Sequence, residues 1–349
     1  ELWILTYGSG IFRLRSDGTQ RRWRKFGGLL PTEAIYSGVA SYEADGQRNL
    51  WVASRAGLLR FVGDELTVYD QADGLPSNAI RGIKRLEGPN GEDILWLATE
   101  RGITRMRLAP SAWRTVSRLG ADENGIFGVF ADRDEEGNER VVVGSGLAGM
   151  AVFSQGEWTA FNRSNGRLPN DRVRGVWPIE RPGELGLVSL DDGRLYLLSE
   201  SLRLVEIEVP WPLNPSHGAI DVAAAFGEIL IGTLDSGLWR LEEGALTPFH
   251  PPAVDTGTLQ SLAVQELPGG ESRVWGATSE GLIRASRERS ELLETLDPMQ
   301  TMSFRDVEVV NEGGRQVLWT STERQGVVRY DVTDPATPLR LDDRQRPPA

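Results

Sequence analysis

Side chains that could bind a small polar ligand recur at two kinds of position in this sequence. Most stand in a short turn before a repeated glycine, and the others follow a proline-containing segment that leads into an apolar run. A site built from such convergent polar groups binds small molecules, and aromatic faces add to it. The predicted ligand-binding residues are Tyr7, Arg55, Asn78, Glu100, Arg101, Asp171, Trp177, Asp191, Trp211, His217, Asp235, Glu280 and Arg324.

Residues suited to catalysis or metal binding are scarce. His217 and His250 are the only histidines, and the absence of cysteine excludes disulfides, thiolate metal sites and a cysteine nucleophile. The sequence contains no G-x-S-x-G nucleophile elbow. Residues 132–139 resemble half of a calcium loop but lack the later bidentate glutamate. We therefore expect no catalytic residue, no metal and no cofactor in this chain.

One repeated pattern must position the turn residues. In residues 50–60, 95–105 and 274–284, a tryptophan-led apolar run is followed by Ser or Thr, two variable residues, glycine and a second apolar run. This pattern predicts a strand, a tight turn and a returning strand, with the glycine supplying the positive φ of the turn. Tryptophans at the repeated position are expected to fill the space between neighbouring sheets; they are Trp3, Trp51, Trp96, Trp275 and Trp319.

The spacing of these hairpins predicts an all-β fold. Eight repeat glycines stand at positions 10, 57, 102, 149, 193, 237, 281 and 326, so their spacings are 47, 45, 47, 44, 44, 44 and 45 residues. A constant period near 45 with hairpins inside each unit is typical of a β-propeller with one four-stranded antiparallel blade per period. The turns before the glycines and the loops after the fourth strands then share one face, which we call the rim.

Strand counting leaves two blade numbers open. The sequence shows eight hairpins but seven preceding strands, which we predict to begin near Ile35, Ala79, Ile126, Val173, Ile220, Leu259 and Ser303. Eight blades are favoured because eight periods of about 44 residues nearly fill the 349-residue chain. The first blade then lacks an inner strand or takes it from outside this sequence. Seven blades are the alternative, with residues 2–26 as the end of a preceding propeller.

Composition limits the classes of partner and compartment. The net charge of −12 disfavours nucleic acid, since phosphate binding needs a basic surface. No apolar run reaches the roughly 18 residues of a membrane helix. The absence of cysteine suits an oxidising compartment such as the periplasm. We expect residues 1–341 to form a single propeller domain and residues 342–349 to form a linker to a following domain.

Two motifs together resemble a known repeat family. Residues 73–78 read D-G-L-P-S-N, and residues 95–103 read L-W-L-A-T-E-R-G-I. This pair is similar to the two-component regulator propeller repeat, and the resemblance extends over essentially the whole chain. It implies the periplasmic sensor portion of a bacterial inner-membrane signalling protein, followed by a membrane helix and a histidine kinase or diguanylate cyclase. Known members of the family that carry a histidine kinase often sense glycan fragments.

Function is accordingly expected to be ligand sensing. The hypothesis is that a small molecule such as an oligosaccharide binds on the rim and alters how two propellers associate as a homodimer, which then biases a downstream kinase or cyclase domain. A protein–protein interaction scaffold without a small ligand is one alternative. A polysaccharide lyase or glycosidase is the other, and it would need carboxylates that converge, unlike the adjacent Asp191 and Asp192, which splay apart in a turn.

Overall fold

The computed structural model describes most of the chain. The described residues are 2–6, 8, 10–15, 19–42, 48–88, 91–108, 111–116, 125–211, 218–234, 237–249, 258–293, 303–322 and 326–341. They form two compact units, Glu1–Pro178 and Ile179–Ala349, and the division falls inside one strand. Whether residues 1–341 act as one domain stays a prediction, and the predicted linker at 342–349 lies outside the described residues.

Eight antiparallel sheets make up the described structure, and each is one blade of an all-β propeller. The eight-bladed prediction is therefore confirmed, and the seven-bladed alternative is wrong. Strands follow sequence order within each sheet, as expected for consecutive hairpins. The described part of the chain holds three strands of blade 1 and four strands of every other blade.

The strands of blades 1 to 4 alternate with short turns. Those of blades 1 and 2 are β1 Leu2–Thr6, β2 Gly10–Leu14, β3 Gln20–Trp23, β4 Ile35–Tyr42, β5 Arg48–Ser54, β6 Gly57–Val62 and β7 Glu65–Tyr69. Those of blades 3 and 4 are β8 Ile80–Glu87, β9 Asp93–Thr99, β10 Gly102–Leu108, β11 Ser111–Val116, β12 Ile126–Arg133, β13 Glu139–Ser145, β14 Gly149–Ser154 and β15 Glu157–Phe161. One turn of 3₁₀ helix, Gln71–Asp73, follows β7.

Blades 5 to 8 have the same order. Those of blades 5 and 6 are β16 Val173–Arg181, β17 Glu184–Leu190, β18 Leu195–Ser199, β19 Leu204–Glu206, β20 Ala219–Ala225, β21 Glu228–Thr233, β22 Gly237–Glu242 and β23 Ala245–Pro248. Those of blades 7 and 8 are β24 Leu259–Glu266, β25 Ser272–Thr278, β26 Leu282–Ala285, β27 Ser290–Leu293, β28 Phe304–Glu312, β29 Arg315–Thr322, β30 Gly326–Asp331 and β31 Leu339–Arg340.

The Ser or Thr of the repeated pattern closes the hairpin turn with its side chain. Ser54 Oγ donates to the carbonyl oxygen of Gly57 at 2.7 Å and accepts from the backbone N–H of Ala56 at 3.1 Å. Thr99 and Thr278 make the same bonds across their own turns. The buried turn thus has its backbone groups satisfied, which explains why the repeat needs a small hydroxylated residue at this place.

Trp51, Trp96 and Trp275 lie between blades, as predicted. Trp51 is 2% exposed and packs with Ile80, Leu95 and Met106 of the next blade. Trp96 and Trp275 are fully buried in equivalent clusters. Each blade is too small to bury its own apolar faces, so these interblade contacts supply much of the hydrophobic stabilisation.

Candidate functional site

In six blades, a bulge at the start of the first strand leaves one side chain outside the ladder. In β8, Ile80 pairs with Thr99 and Gly82 with Ala98, so Arg81 is an extra residue without a partner in the ladder. The first strands β4, β12, β20, β24 and β28 show the same register shift. Such bulges twist the strand and re-aim a side chain, and they often lie next to binding sites. The extra residues are Tyr36, Arg81, Phe127, Ile220, Gln260 and Arg305.

Neighbouring bulge residues contact one another. In the first unit, the Arg81 guanidinium lies 4.6 Å from the ring centroid of Tyr36 and also binds the Glu100 carboxylate at 2.6 Å. In the second unit, Arg305 donates to Gln260 Oε1 at 3.4 Å. The bulges therefore form a row of side chains along the rim of each unit.

The first unit has a rim cleft of about 490 Å³. We define the rim cleft by its lining residues, which are Arg81, Glu100, Arg101, Gly125, Phe127, Gly146, Leu147 and Arg172. They come from the bulges of β8 and β12, from the hairpin turns of blades 3 and 4, and from the loop before β16. A volume of this size falls within the roughly 300–1,000 Å³ of small-molecule sites.

Gly146 leaves room for the Phe127 ring in the rim cleft. Gly146 donates its N–H to the carbonyl of Gly125 at 3.1 Å. A Cβ on Gly146 would come within 2.2 Å of the Phe127 ring, so the ring occupies the place of a side chain there. Phe127 is nevertheless 58% exposed and Leu147 57% exposed. The cleft thus offers an apolar face to a ligand.

The charge of the rim cleft is positive. Its lining contains three arginines and one glutamate, and that glutamate is paired with Arg81. Arg101 is exposed at the tip of its turn, beside the apolar face. An arginine fork binds carboxylate groups in a bidentate manner, while Phe127 suits the apolar face of a sugar ring. The arrangement fits a small polar molecule that carries a negative group.

The structure brings two of the predicted residues together in the rim cleft, Glu100 and Arg101. Arg55 is exposed in the equivalent turn of blade 2, where its backbone N–H donates to Ala34. Asn78 and Asp171 shape their own loops, since their side-chain oxygens accept from the backbone N–H groups of Gln71 at 2.8 Å and Arg163 at 2.6 Å.

The two predicted aromatic residues contact protein groups. Trp177 is half-buried, and its ring covers Gly175. Trp211 is 9% exposed, donates to the carbonyl of Gly193 at 3.3 Å and packs edge-on against Trp239 at 5.3 Å. Trp211 thus fills space within the second unit. The ligand-binding role of both residues stays a prediction.

The remaining predicted residues divide into two groups. In the second unit, Asp191 is half-buried and Glu280 is exposed, each in a hairpin turn. The other four lie outside the described residues; they are Tyr7, His217, Asp235 and Arg324.

Sequence reasoning missed Arg81, Phe127 and Arg172 in the rim cleft. The signal was present in aligned first strands, where an apolar residue is followed by a variable residue, then Gly, Ser or Asp, then another apolar residue. Residues 35–38 read I-Y-S-G, 80–83 read I-R-G-I, 126–129 read I-F-G-V and 259–262 read L-Q-S-L. A position that varies between fixed neighbours in every repeat faces the ligand side rather than the core.

The carboxylate oxygens of the predicted calcium-like loop bind other residues of the same hairpin. Asp134 accepts hydrogen bonds from the backbone and side chain of Asn138, and Asp132 pairs with Arg140 at 2.7 Å. Within the described residues, no group of three His, Asp or Glu side chains could hold a metal ion.

A second cleft, of about 1,050 Å³, lies in the second unit among the turns that join first and second strands. Its floor includes Phe226, Ile229 and Leu241. Its walls mix basic residues with the acidic residues Glu228 and Glu266. The charge therefore has no single sign, and none of the predicted ligand residues lines it.

Carboxylates line the first strands of the second unit. Asp306 accepts from Ser261 Oγ at 2.7 Å, and Asp221 accepts from the backbone N–H of Leu262 at 2.8 Å, so these acids link neighbouring blades. Burial raises the pKa of Asp221 and of Asp306. Burial, and then the charge of Asp306, raises the pKa of Glu308.

These raised pKa values predict a pH dependence of stability. Above about pH 4, where the unfolded carboxyls lose their protons, the folded state holds these protons more tightly, so the contribution of these carboxyls to the free energy of unfolding falls as pH rises. Asp306→Asn retains an oxygen for Ser261 and removes this titration. We expect its stability relative to wild type to increase from pH 4 to pH 7, as measured by urea unfolding. An identical pH slope in both proteins would contradict the assignment.

Comparisons with known proteins show similarity of fold. No protein family model matches the sequence, and no curated protein matches it. A solved structure of the computationally designed Ika8 protein is 11% identical, with a TM-score of 0.61, over 88% of this chain and 86% of that one. The N-terminal part of BBS1 in complex with ARL6, in the structure soaked with mercury, is 11% identical, with a TM-score of 0.53, over 84% of this chain and 91% of that one.

One similar structure belongs to a signalling protein. It is the extracellular domain of the putative hybrid two-component system BT4673 from B. thetaiotaomicron, with 16% identity and a TM-score of 0.51. The match covers 97% of this chain and 50% of that domain, so this chain spans about half of its length. Within the described residues, no helix is long and apolar enough to cross a membrane. The chain is thus an eight-bladed propeller that shares its fold with part of the extracellular domain of a putative two-component system.

Proposed function

We propose that this chain is the periplasmic ligand-sensing propeller of a bacterial membrane-bound signalling protein, of the histidine kinase or diguanylate cyclase type. The observation that carries the proposal is the rim cleft, where two residues predicted from the repeat meet two exposed apolar side chains and two further arginines. The repeat motifs and the similarity to a two-component extracellular domain support the class of protein.

The ligand proposed for the rim cleft is a small molecule such as an oligosaccharide. Phe127 would lie against a sugar face, and Arg101 would bind a negative group on the ligand. The carboxylate of Glu100 is fixed by Arg81, so it can accept from a ligand hydroxyl without moving. In this proposal the output domain, and not the propeller, catalyses a reaction. Ligand binding is proposed to alter the association of two propellers.

A calorimetric and thermal-shift screen tests this proposal. Neutral and carboxylate-bearing oligosaccharides should be compared, and we expect the carboxylate-bearing ones to raise the melting temperature. Arg101→Ala and Phe127→Ser should each weaken binding by about tenfold or more, because both side chains contact the ligand. Arg163→Ala is the control, since Arg163 is an exposed arginine of the same unit that does not line the rim cleft.

Two outcomes would count against the site. One is a ligand whose affinity is unchanged by Arg101→Ala and Phe127→Ser. The other is the absence of stabilisation by any compound of either charge class. Sedimentation with and without the ligand then tests whether binding changes self-association.

A further inference from the structure

The loop after β3 presents an aromatic side chain to solvent at the tip of an ordered turn. Gly28 donates its N–H to the carbonyl of Lys25 at 3.0 Å, and Leu29 and Leu30 both donate to the carbonyl of Arg24. Phe26 stands inside this turn and is 94% exposed, while Leu29 is 49% exposed. The backbone bonds thus order the loop, and the Phe26 side chain is exposed within it.

The same turn occurs in blade 4 with polar residues at its tip. Gly166 donates to Arg163, and Arg167 and Leu168 donate to Asn162, which reproduces the three bonds of the blade 1 loop. Ser164 stands where blade 1 has Phe26, and Arg167 stands where it has Leu29. The turn therefore forms without an aromatic tip. The fold therefore does not require an aromatic residue at the tip of the blade 1 turn, and exposure of the Phe26 ring to water is unfavourable.

Positive charge is concentrated around this loop. Residues 21–26 read R-R-W-R-K-F, in a chain of net charge −12. Arg21 pairs with Asp64 at 2.5 Å, so Arg24 and Lys25 are the cations of the turn itself. Arg24 and Lys25 are exposed and directly precede Phe26 in the chain. Burial, and then repulsion from Arg24, lowers the pKa of Arg22, whose guanidinium lies 4.3 Å from the ring centroid of Phe12. Like charges crowded in this way favour an anionic surface nearby.

We infer that this loop docks on an anionic phospholipid surface, with Phe26 and Leu29 entering the headgroup region and Arg24 and Lys25 binding lipid phosphates. An aromatic tip flanked by cations suits the membrane interface, where rings and basic groups meet the headgroups. A protein partner fits less well. A stable protein–protein interface buries about 1,200 Å² or more, whereas the apolar part of this surface is two side chains.

Vesicle flotation tests the inference with the purified chain. We expect the chain to float with vesicles of phosphatidylcholine that contain phosphatidylglycerol, and not with phosphatidylcholine alone. Added salt should weaken the binding, since screening acts on the lipid–cation attraction. Phe26→Ser should lower the binding constant about tenfold, and Lys25→Gln about fivefold. The serine is the residue that the equivalent turn of blade 4 already contains.

Arg163→Gln is the matched control, because Arg163 occupies the position of Lys25 in the blade 4 turn and is equally exposed. It should float as wild type does. The inference is overturned if wild type ignores anionic vesicles, or if Phe26→Ser and Lys25→Gln bind as wild type does. It is also overturned if Phe26→Ser changes the sedimentation coefficient instead, which would identify a second copy as the partner. Ligand binding in the rim cleft is measured separately and does not affect this outcome.

Discussion

Gly57→Ala is expected to destabilise the first unit by about 3 kcal/mol, because the new Cβ has no room and the backbone is strained. Gly57 opens β6 with φ +118°, outside the range that an L-residue adopts easily. A Cβ there would lie 2.2 Å from the carbonyl oxygen of Tyr69 at the end of β7. The hairpin glycine is therefore needed for the close approach of the fourth strand as well as for the turn.

Urea unfolding followed by tryptophan fluorescence measures this effect. Gly63→Ala is the control, since Gly63 also has positive φ, +59°, but its Cβ would have no atom within 4 Å. The free energy of unfolding of Gly63→Ala should fall by about 1 kcal/mol, because alanine is strained in the left-handed conformation. Equal losses in the two variants would show that the contact with Tyr69 is unimportant. Gly10 and Gly149 make the same approach to Trp23 and Phe161, so their alanine variants should behave as Gly57→Ala does.

Gln265→Leu is expected to lower the free energy of unfolding by about 4 kcal/mol, because it leaves several buried polar groups without partners. Gln265 is fully buried in β24. Its Oε1 accepts from the indole N–H of Trp275 at 2.8 Å, and its Nε2 donates to Gln316 Oε1 and to the carbonyl of Val332, each at 2.7 Å. The Gln265 amide thus links Trp275 of blade 7 to the Gln316 side chain and the Val332 carbonyl of blade 8.

Gln260→Leu provides the comparison for this second substitution. Gln260 lies in the same strand, is half-buried, and makes a long 3.4 Å bond with Arg305. Its loss should change the free energy of unfolding by less than about 0.5 kcal/mol. Thermal unfolding monitored by near-ultraviolet circular dichroism would separate the two variants. Similar melting temperatures for both would contradict the role assigned to the Gln265 amide.

The sequence was sufficient to locate the blades because the turn chemistry is local. The glycine period depends on one close backbone approach and one hydroxyl bond per hairpin, and both act within a few residues. First strands predicted near Ala79 and Ile126 begin at Ile80 and Ile126. The loop residues Asn78 and Asp171 show the same locality, since their side chains accept from the N–H groups of Gln71 and Arg163, seven and eight residues away.

The rim cleft was harder to predict because it depends on register. Whether Arg81 faces the core or the rim is decided by one extra residue in β8, and strand alternation alone does not show such a slip. Trp211 illustrates a different difficulty. Its proline-rich surroundings suggested an exposed loop, whereas its indole packs against Trp239 in three dimensions. Contacts of this kind join residues far apart in the chain and leave no periodic signal.

The bulges have a consequence for how such a protein can change its specificity. Each of the six bulged first strands supplies one extra residue outside the ladder, so its identity can be altered at little expense to folding. A library randomised at Tyr36, Arg81 and Phe127 alone would sample many recognition surfaces on an unchanged scaffold. Both evolution and protein engineering could change ligand specificity by substitution at these positions.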